Sequence, residues 1–507
     1  MRILLINSNR YKLTLVTMPY GLCCVAATLE NAGHEVNVLD LCFSTNCKQE
    51  IQNMLTKFQP DIVGVGIRNI DSATPHNILF LLDPVKKDVI EPLKELYSGP
   101  IVIGGAAVGV SGVEMLSFFD LQYAIQGDGE YAMLDFVDRI EKKLPLEGLR
   151  GLILRRDNQI IEENLPYRVE NLESLPKVKI YRYIDIKPYL KYNVPLPIQT
   201  KRGCSLECAY CIYNSVEGHS IRLRDPESLA DEIQDMVEET GVNVIEFVDS
   251  VFNIPLKHAK NVLRAIKSRN LNLKLNTIGI NPGAIDEEFV GLLKENNLRE
   301  FHITVESCSD ITLKSLCKNY KKADIIKAGQ LLNNQDLFII WDLLTGAPGE
   351  TEETLKETLE TITTIASNWD LIVVGNGIRL YKGSPLSKKI GQAKPDCTSD
   401  NFLHPVIFTP QSMPIESVRA FEKMISLKHP NMFFYDEVQR LPFFVVKIQN
   451  FLLKFMPRQK PWWKLLIFCY FLLRITGINV LRRILFEFKK RHPLPKTFGK
   501  TVGYEGV

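Results

Sequence analysis

Two regions of this chain alternate short hydrophobic runs with longer helical stretches, and this alternation constrains the fold more than any other feature. In the first region the runs, rich in Val, Ile and Leu, lie at 2–7, 35–41, 61–67, 100–104 and 121–126. Strands separated by helices predict a parallel sheet covered on both faces. Five strands suit an α/β, flavodoxin-like doubly wound domain, whose ligands bind in the loops at the carboxyl ends of the strands. We assign this domain to residues 1–150.

A second alternating region follows a proline-rich connector, residues 151–195. Its strands are predicted at 196–200, 244–249, 273–279, 300–306, 337–343 and 371–380, with helices between them. Six βα units predict a partial (β/α)6 barrel over 196–390, with its chemistry at the carboxyl ends of the strands. Residues 391–507 show no such alternation, and we expect this region to be mostly helical.

Charge is distributed unevenly along the chain. The 507 residues carry a net charge of +2, which gives no overall basic footprint for nucleic acid. Residues 441–491 nevertheless hold eleven Lys or Arg and one acid, Glu487, a local charge of +10. Cations among Trp, Phe and Leu are typical of helices that lie on an anionic membrane surface. The alternative is a helical cap packed on the barrel.

The N-terminus and the cysteine content bear on localisation. The apolar run after Met1 is too short for a signal peptide, and no window reaches the ~18 apolar residues of a membrane span. Eleven cysteines in so long a chain do not indicate a secreted disulfide framework. We therefore expect a cytoplasmic protein, peripheral on the inner face of the membrane if the basic region docks there.

Three cysteines, Cys204, Cys208 and Cys211, form a CxxxCxxC directly after the first barrel strand. Three thiolates on one loop can hold three irons of a cubane iron–sulfur cluster, and the absence of a fourth nearby cysteine leaves one iron open for a chelating ligand. The alternative is a zinc site, which needs four ligands and has only His219 close by. The spacing favours the cluster.

The loop from Thr200 to Cys211 resembles that of radical S-adenosylmethionine (SAM) enzymes, including an aromatic residue before the last cysteine. Later strand ends match further motifs of that family: FVDS at 247–250, TVES at 304–307, TGAPGET at 345–351 and GSPL at 383–386. The resemblance implies a 4Fe-4S cluster on the three cysteines, with SAM chelated to the open iron. The residues that it implies for SAM binding are Tyr210, Asp249, Glu306, Ser307 and Gly346.

The first region extends the resemblance to the cobalamin-binding radical SAM enzymes, over roughly residues 1–390. The matching segments are PYGL at 19–22, RNID at 68–71, IGG at 103–105 and GDGE at 127–130. Glycines at strand ends allow close approach of a bulky nucleotide tail, and a loop that opens onto a helix N-terminus can cradle phosphate. The residues implied for cobalamin binding are Asn7, Arg68, Gly104, Gly105, Gly127, Gly129 and Glu130.

One departure from other cobalamin proteins concerns the lower face of the cobalt. None of the eight histidines lies in a DxHxxG motif, so a protein imidazole ligand is not expected. Arg68 ends the third strand, where the corrin should rest, and a fixed cation there would disfavour an axial ligand and favour electron-rich cobalt. We therefore assign Arg68 a catalytic role. The alternative is a structural ion pair with Asp71 or Asp40.

The resemblance implies a methyltransferase that passes a methyl group from SAM, through methylcobalamin, to an unactivated carbon. Related enzymes suggest a first alternative, which is rearrangement, cyclisation or carbon–carbon coupling without methyl transfer. A second alternative is a non-catalytic cobalamin-binding sensor on the membrane surface, against which the intact cysteines argue. The implied partners are a small-molecule or lipid substrate and an electron donor such as flavodoxin or ferredoxin.

Overall fold

The computed structural model describes residues 1–434 and the backbone of 500–504. The exceptions within the first range are 12–15, 74–77, 299, 334, 336, 368–369, 394–400, 414–417, 419–428 and 430. The basic aromatic region 441–491 lies outside the described residues, so its predicted membrane docking stays a prediction. Within the described part of the chain, no helix combines the length and the apolar character needed to cross a bilayer.

The first sheet has seven strands. They are β1 (Arg2–Asn7), β2 (Glu35–Asp40), β3 (Ile62–Gly66), β4 (Ile101–Gly104), β5 (Tyr123–Ile125), β6 (Leu152–Arg156) and β7 (Gln159–Glu163). The sheet order is β2-β1-β3-β4-β5-β6-β7, parallel through β5. The predicted doubly wound domain is confirmed, and its five predicted strands are the five parallel ones. The antiparallel hairpin β6–β7 extends the sheet into the segment expected to be an irregular connector.

Helices cover both faces of this sheet. They are α1 (Tyr20–Asn31), α2 (Cys47–Phe58), α3 (Leu82–Val85), α4 (Glu91–Leu96), α5 (Val108–Phe119) and α6 (Gly129–Glu141), with a π-helical segment, Lys86–Ile90, between α3 and α4. The side chains of β1 alternate between the two resulting cores. Leu4 and Ile6 pack with α2 and α5 on one face, whereas Ile3 and Leu5 pack with α1 and α6 on the other. Burial on both faces explains the uninterrupted hydrophobic strands.

The remaining strands begin at residue 196. They are β8 (Leu196–Ile198), β9 (Lys201–Arg202), β10 (Arg222–Leu223), β11 (Val244–Phe247), β12 (Lys274–Ile280), β13 (Glu300–Glu306), β14 (Phe338–Thr345), β15 (Leu371–Asn376), β16 (Ile378–Arg379), β17 (Val406–Pro410), β18 (Met432–Phe434) and β19 (Lys500–Tyr504). The second sheet is parallel, in the order β8-β11-β12-β13-β14-β15-β18. Its first six strands confirm the predicted partial barrel, and β18 adds a seventh. A small sheet joins β16, β17 and β19.

Helices separate the barrel strands and bury their apolar faces in the largest core of the protein. The helices after β7 are α7 (Ile180–Tyr183), α8 (Lys187–Lys191), α9 (Tyr213–Glu217), α10 (Pro226–Thr240), α11 (Leu256–Ser268), α12 (Glu287–Glu295), α13 (Asp310–Ser315), α14 (Lys322–Leu332), α15 (Glu352–Ile365) and α16 (Pro385–Ala393), with 3-10 turns at Leu172–Ser174 and Pro282–Ala284. Residues of α1 and of α7–α8 share that core with the barrel. The doubly wound unit and the barrel therefore pack against each other.

Candidate active site

A cavity of about 650 Å³ opens between the carboxyl ends of the first sheet and the barrel. All seven residues predicted to bind cobalamin line it: Asn7, Arg68, Gly104, Gly105, Gly127, Gly129 and Glu130. Because the carboxyl ends of parallel strands meet at one edge of a sheet, loops that are far apart in sequence converge there. The barrel contributes Glu246, Val248 and Ile278 to the opposite wall. The cavity therefore faces both halves of the molecule.

The glycines at this edge are required mainly by backbone packing. Gly105 has φ +102°, and a Cβ there would lie 2.6 Å from the carbonyl oxygen of Ile67. Gly127 has φ +92°, and its Cβ would lie 2.3 Å from the carbonyl oxygen of Tyr167. Any larger side chain would displace a neighbouring loop of the cavity wall. These contacts account for Gly105 and Gly127 within the protein itself, whereas a Cβ at Gly104 would meet only an ordinary contact at 3.7 Å. The expected approach of a nucleotide tail stays a prediction.

Two of the predicted cobalamin residues are already engaged by protein groups. The amide of Asn7 donates to Asp40 at 2.8 Å, and its oxygen accepts from the backbone N–H of Asn9 at 3.2 Å. The carboxylate of Glu130 is 3% exposed and accepts two hydrogen bonds from the guanidinium of Arg202, at 3.1 and 2.5 Å. Glu130 thus joins helix α6 to the cysteine loop, because Arg202 precedes Cys204 by two residues.

Arg68 differs from its neighbours because it is exposed to the cavity. In the described part of the chain its guanidinium makes one hydrogen bond, to the side-chain oxygen of Asn69 at 3.4 Å. The alternative of a structural ion pair is not observed. Asp71 pairs with Arg379 at 2.8 Å, and Asp40 accepts from Asn7 and Tyr189. No histidine occurs among the described residues that line the cavity.

The cysteine loop begins where β8 ends. Gly203, with φ +92°, makes the turn into it, and a Cβ there would lie 2.1 Å from the carbonyl oxygen of Ser220. Cys204 and Cys208 are buried and Cys211 is half-buried. Burial raises the pKa of the Cys211 thiol to about 11 and also raises that of Cys208. Because a metal ligand must be a thiolate, binding of a metal centre by this loop would have to displace the protons of these thiols.

Asp249, predicted to contact SAM, holds the start of the loop. Its carboxylate is 1% exposed and accepts from the backbone N–H of Thr200 at 2.8 Å, the Thr200 hydroxyl at 2.6 Å and the backbone N–H of Lys201 at 3.3 Å. Burial raises the pKa of Asp249 despite these donors. The contacts give Asp249 a positioning role, and a direct contact with SAM stays a prediction.

Glu306 and Tyr210 meet beside the cysteines. The Tyr210 hydroxyl donates to Oε1 of Glu306, and the ammonium of Lys318 lies 3.1 Å from the same oxygen. Lys318 also donates to the Tyr210 hydroxyl at 2.9 Å and lies 3.6 Å from the sulfur of Cys208. Burial disfavours the ammonium, but the Glu306 carboxylate together with Tyr210, Tyr320 and Cys208 outweighs this effect and raises the pKa of Lys318 well above its ordinary value. A buried ion pair therefore adjoins the cysteine loop.

The other two residues predicted for SAM contact neighbouring protein groups. The Ser307 hydroxyl is fully buried and lies 2.8 Å from that of Thr358. Gly346, with φ +88°, donates its N–H to Glu350 at 2.5 Å. Burial raises the pKa of Glu350 to about 7, and its Oε1 has no partner among the described residues. These contacts order the strand ends around the loop, while the predicted contacts with SAM stay predictions.

The GSPL segment also reaches the cysteine loop. The N–H of Leu386 donates to the carbonyl of Ala209 at 2.9 Å, and Leu386 and Ala347 belong to one small core against which Tyr210 packs. Four motifs separated along the sequence therefore surround one loop.

Helix α9 connects this loop with the cavity. Tyr213, Val216 and Glu217 line the cavity, and the N–H of Tyr213 lies 3.5 Å from the sulfur of Cys211. The donor set of three clustered thiols fits a 4Fe-4S cluster with an open iron. The glycine-rich edge, with the Arg68 guanidinium making no ion pair to a described residue, fits a large cofactor that carries a phosphodiester. The arrangement can hold both groups on two sides of one helix.

Sequence reasoning missed three residues that organise the site: Lys318, Arg202 and Arg379. Arg379 is 6% exposed, pairs with Asp71 and donates to the carbonyls of Phe402 and Leu403, which ties the loop after Arg68 to the barrel. None of the three carries a motif of its own, although Arg379 lies at the end of the predicted strand 371–380. In the sequence, Arg202 could be recognised only as a member of the segment that precedes Cys204.

Comparison with protein families finds matches for two regions of the chain. Residues 198–362 match the radical SAM superfamily, and residues 9–137 match the B12 binding domain. The first match spans the cysteine loop and Glu306, and the second spans the glycine-rich edge and Arg68. Both cofactor assignments made from the sequence are confirmed at the level of these families.

The individual proteins to which this chain is similar have low sequence identity to it. An uncharacterized methyltransferase, PH0819, of Pyrococcus horikoshii is 23% identical, covering 68% of this chain and 72% of the relative. Tryptophan 2-C-methyltransferase of Streptomyces laurentii is 23% identical, covering 76% and 74%. The structure of the radical SAM methyltransferase TsrM from Kitasatospora setae, with tryptophan and a SAM analogue bound, is 24% identical and covers 78% of this chain and 76% of that one, with a TM-score of 0.71. This structural likeness confirms the fold.

Proposed function

This chain is a cobalamin-binding radical SAM enzyme, and we propose that it transfers a methyl group from SAM, by way of cobalamin, to an unactivated carbon of a small-molecule substrate. The observation that carries the proposal is the shared cavity. Its glycine-rich edge lies in the B12 binding domain, whereas its far wall includes α9, which follows directly from the cluster cysteines. Methyl transfer requires such adjacency, since a carbon must reach both cofactors within one site.

Different residues of the chain would hold each of the two cofactors. When bound, the cluster with SAM supplies a carbon-centred radical and cobalamin carries the methyl group. Cys204, Cys208 and Cys211 would hold the cluster, with Glu306 and Gly346 close to SAM. Arg68, which lines the cavity, would lie beside the bound cobalamin, where its charge would disfavour a further ligand to the cobalt. The substrate would bind in the cavity between the two sides.

Rearrangement, cyclisation or carbon–carbon coupling without methyl transfer would use the same pair of cofactors. The methyltransferase names of the relatives from Pyrococcus horikoshii and Streptomyces laurentii favour methylation. A non-catalytic sensor is disfavoured, because the enzyme family is established and all three cysteines are present. We propose a hydrophobic, lipid-like substrate, on the basis of the basic aromatic region 441–491, and flavodoxin or ferredoxin as the electron donor.

The test of the proposed reaction uses SAM with a trideuterated methyl group. Reconstituted enzyme, cobalamin, labelled SAM and a low-potential reductant are incubated anaerobically with a lipid-rich metabolite extract. We expect a product heavier than its precursor by one trideuteromethyl group, together with 5′-deoxyadenosine. A product without the label, formed along with 5′-deoxyadenosine, would establish rearrangement or coupling instead. The Cys208→Ala variant serves as the control for label incorporation by other routes.

The state of the cobalt tests the role of Arg68. We expect the Arg68 cation to keep the cofactor's own benzimidazole off the cobalt (base-off), and the described cavity lining holds no histidine to take its place. The electron paramagnetic resonance spectrum of the Co(II) form should lack nitrogen superhyperfine splitting. Arg68→Gln should leave 5′-deoxyadenosine formation within about twofold of the parent while lowering methyl transfer at least about tenfold, or ~1.4 kcal/mol. Nitrogen splitting in the parent protein would contradict this assignment.

A further inference from the structure

Lys318 is a buried cation that neither the cobalamin nor the SAM motifs include. Its side chain is 5% exposed, and it follows helix α13 on the loop toward Tyr320. The ammonium lies 2.9 Å from the Tyr210 hydroxyl, 3.1 Å from Oε1 of Glu306 and 3.6 Å from the sulfur of Cys208. Each of its three polar partners is therefore a residue assigned to the cluster or to SAM.

A buried charge in this position is costly unless it is compensated. Glu306 supplies the compensating charge, since its carboxylate side chain is also largely buried, at 11% exposed. The ammonium thus donates hydrogen bonds to the Glu306 carboxylate, the Tyr210 hydroxyl and the Cys208 sulfur. Of these three, only the Cys208 sulfur changes its bonding when the cluster is assembled, because it becomes a thiolate ligand.

We propose that Lys318 is a positioning residue for the cluster, which donates a hydrogen bond to the Cys208 thiolate and stabilises the reduced cluster by its positive charge. Reduction adds one electron from a low-potential donor of the flavodoxin or ferredoxin class. No bond is formed or broken and no proton is transferred in this step. The cluster with its thiolates becomes more negative by one charge. A fixed cation close to one ligand sulfur therefore favours the reduced state.

Lys318 also fixes the orientation of the Glu306 carboxylate. The Lys318 ammonium and the Tyr210 hydroxyl both contact Oε1, and no described residue donates to Oε2. The backbone of Glu306 has φ +61°, a left-handed conformation at the end of β13 that favours glycine. Two donors on one oxygen thus hold a strained residue in a single orientation.

The test is a potentiometric titration of the reconstituted full-length protein without SAM, followed by the electron paramagnetic resonance signal of the reduced cluster. Lys318→Met should shift the midpoint potential to more negative values by at least 59 mV, the equivalent of a tenfold loss in the one-electron reduction equilibrium. Lys314→Met is the matched control, since Lys314 is an exposed lysine on α13, and it should leave the potential unchanged. Because SAM is absent, failure of the proposed methyl transfer would not affect this result.

Glu306→Gln provides a second measurement that does not depend on the folding of the lysine variant. Removal of the carboxylate leaves the Cys208 thiolate of the assembled cluster as the anionic partner of the Lys318 ammonium, so the midpoint potential should become more positive than in the parent protein. An unchanged potential in a Lys318→Met variant that retains its iron would overturn the proposal. If Lys318→Met does not assemble a cluster, an unchanged or more negative potential in Glu306→Gln would overturn it equally.

Discussion

Replacement of Cys208 by alanine is expected to reduce SAM cleavage to the background of the reaction mixture. The anaerobically reconstituted parent protein should bind about four irons and four sulfides per chain, held by three thiolates. Removal of one thiolate from this loop leaves two, and Cys204 or Cys211 could not replace it because each would already bind its own iron. The measurements are iron and sulfide content, together with 5′-deoxyadenosine formed under reducing conditions.

The matched control for Cys208 is Cys317. Cys317 is exposed and lies on the same loop as Lys318, outside the CxxxCxxC segment. Cys317→Ala should therefore retain the iron, the sulfide and the SAM cleavage of the parent protein. Robust formation of 5′-deoxyadenosine by a variant in which all three motif cysteines are alanine would rule out the cluster assignment. Equal loss of iron in the Cys317 and Cys208 variants would indicate a general loss of folding instead.

The sequence predicted the parallel strands well because their signals are local. A run such as RILLIN at 2–7 is hydrophobic at successive positions, and this pattern identifies a strand buried on both faces without knowledge of its neighbours. The hairpin β6–β7 was missed for the opposite reason. In QIIEE at 159–163 the exposed and half-buried positions alternate. An edge strand of this kind is stabilised by its pairing with β6, which the sequence does not display.

In the site, too, the role of residues close together in sequence was predicted, whereas contacts between residues far apart in sequence were not. Cys204, Cys208 and Cys211 are close in sequence, so their spacing alone predicted a cluster. The partner of Glu130 could not be predicted, because Arg202 is 72 residues away and belongs to the other half of the protein. Strand-end position identified Glu130 as a cavity residue, but its burial beside a guanidinium depends on how the two halves pack. The ion pairs between distant residues of the site could therefore be identified only from the structure.

The ion pair between Glu130 and Arg202 should accordingly be one of the most sensitive polar contacts in the protein. The two side chains are 4% and 11% exposed and make two hydrogen bonds. Arg202 also lies 3.7 Å from Asp128, which pairs with Arg222. Arg202→Met would leave the Glu130 carboxylate buried without its partner. Removal of one member of a buried pair costs about 3–5 kcal/mol, so the free energy of unfolding should fall by that amount.

The measurement is urea denaturation of the cofactor-free parent and variants, with Arg156→Met as the matched control. Arg156 pairs with Glu147 at 3.1 Å, but the two side chains are 49% and 42% exposed, and such a surface pair contributes about 0.2–1 kcal/mol. The double variant Arg202→Met, Glu130→Leu should be more stable than Arg202→Met alone, because no unpaired carboxylate remains at this position. The cobalamin affinity of Arg202→Met should fall as well, since Glu130 lies in the first turn of α6 on the cavity wall. Equal effects of Arg202→Met and Arg156→Met on the free energy of unfolding would show that the buried pair does not hold the cysteine loop against the cobalamin side of the cavity.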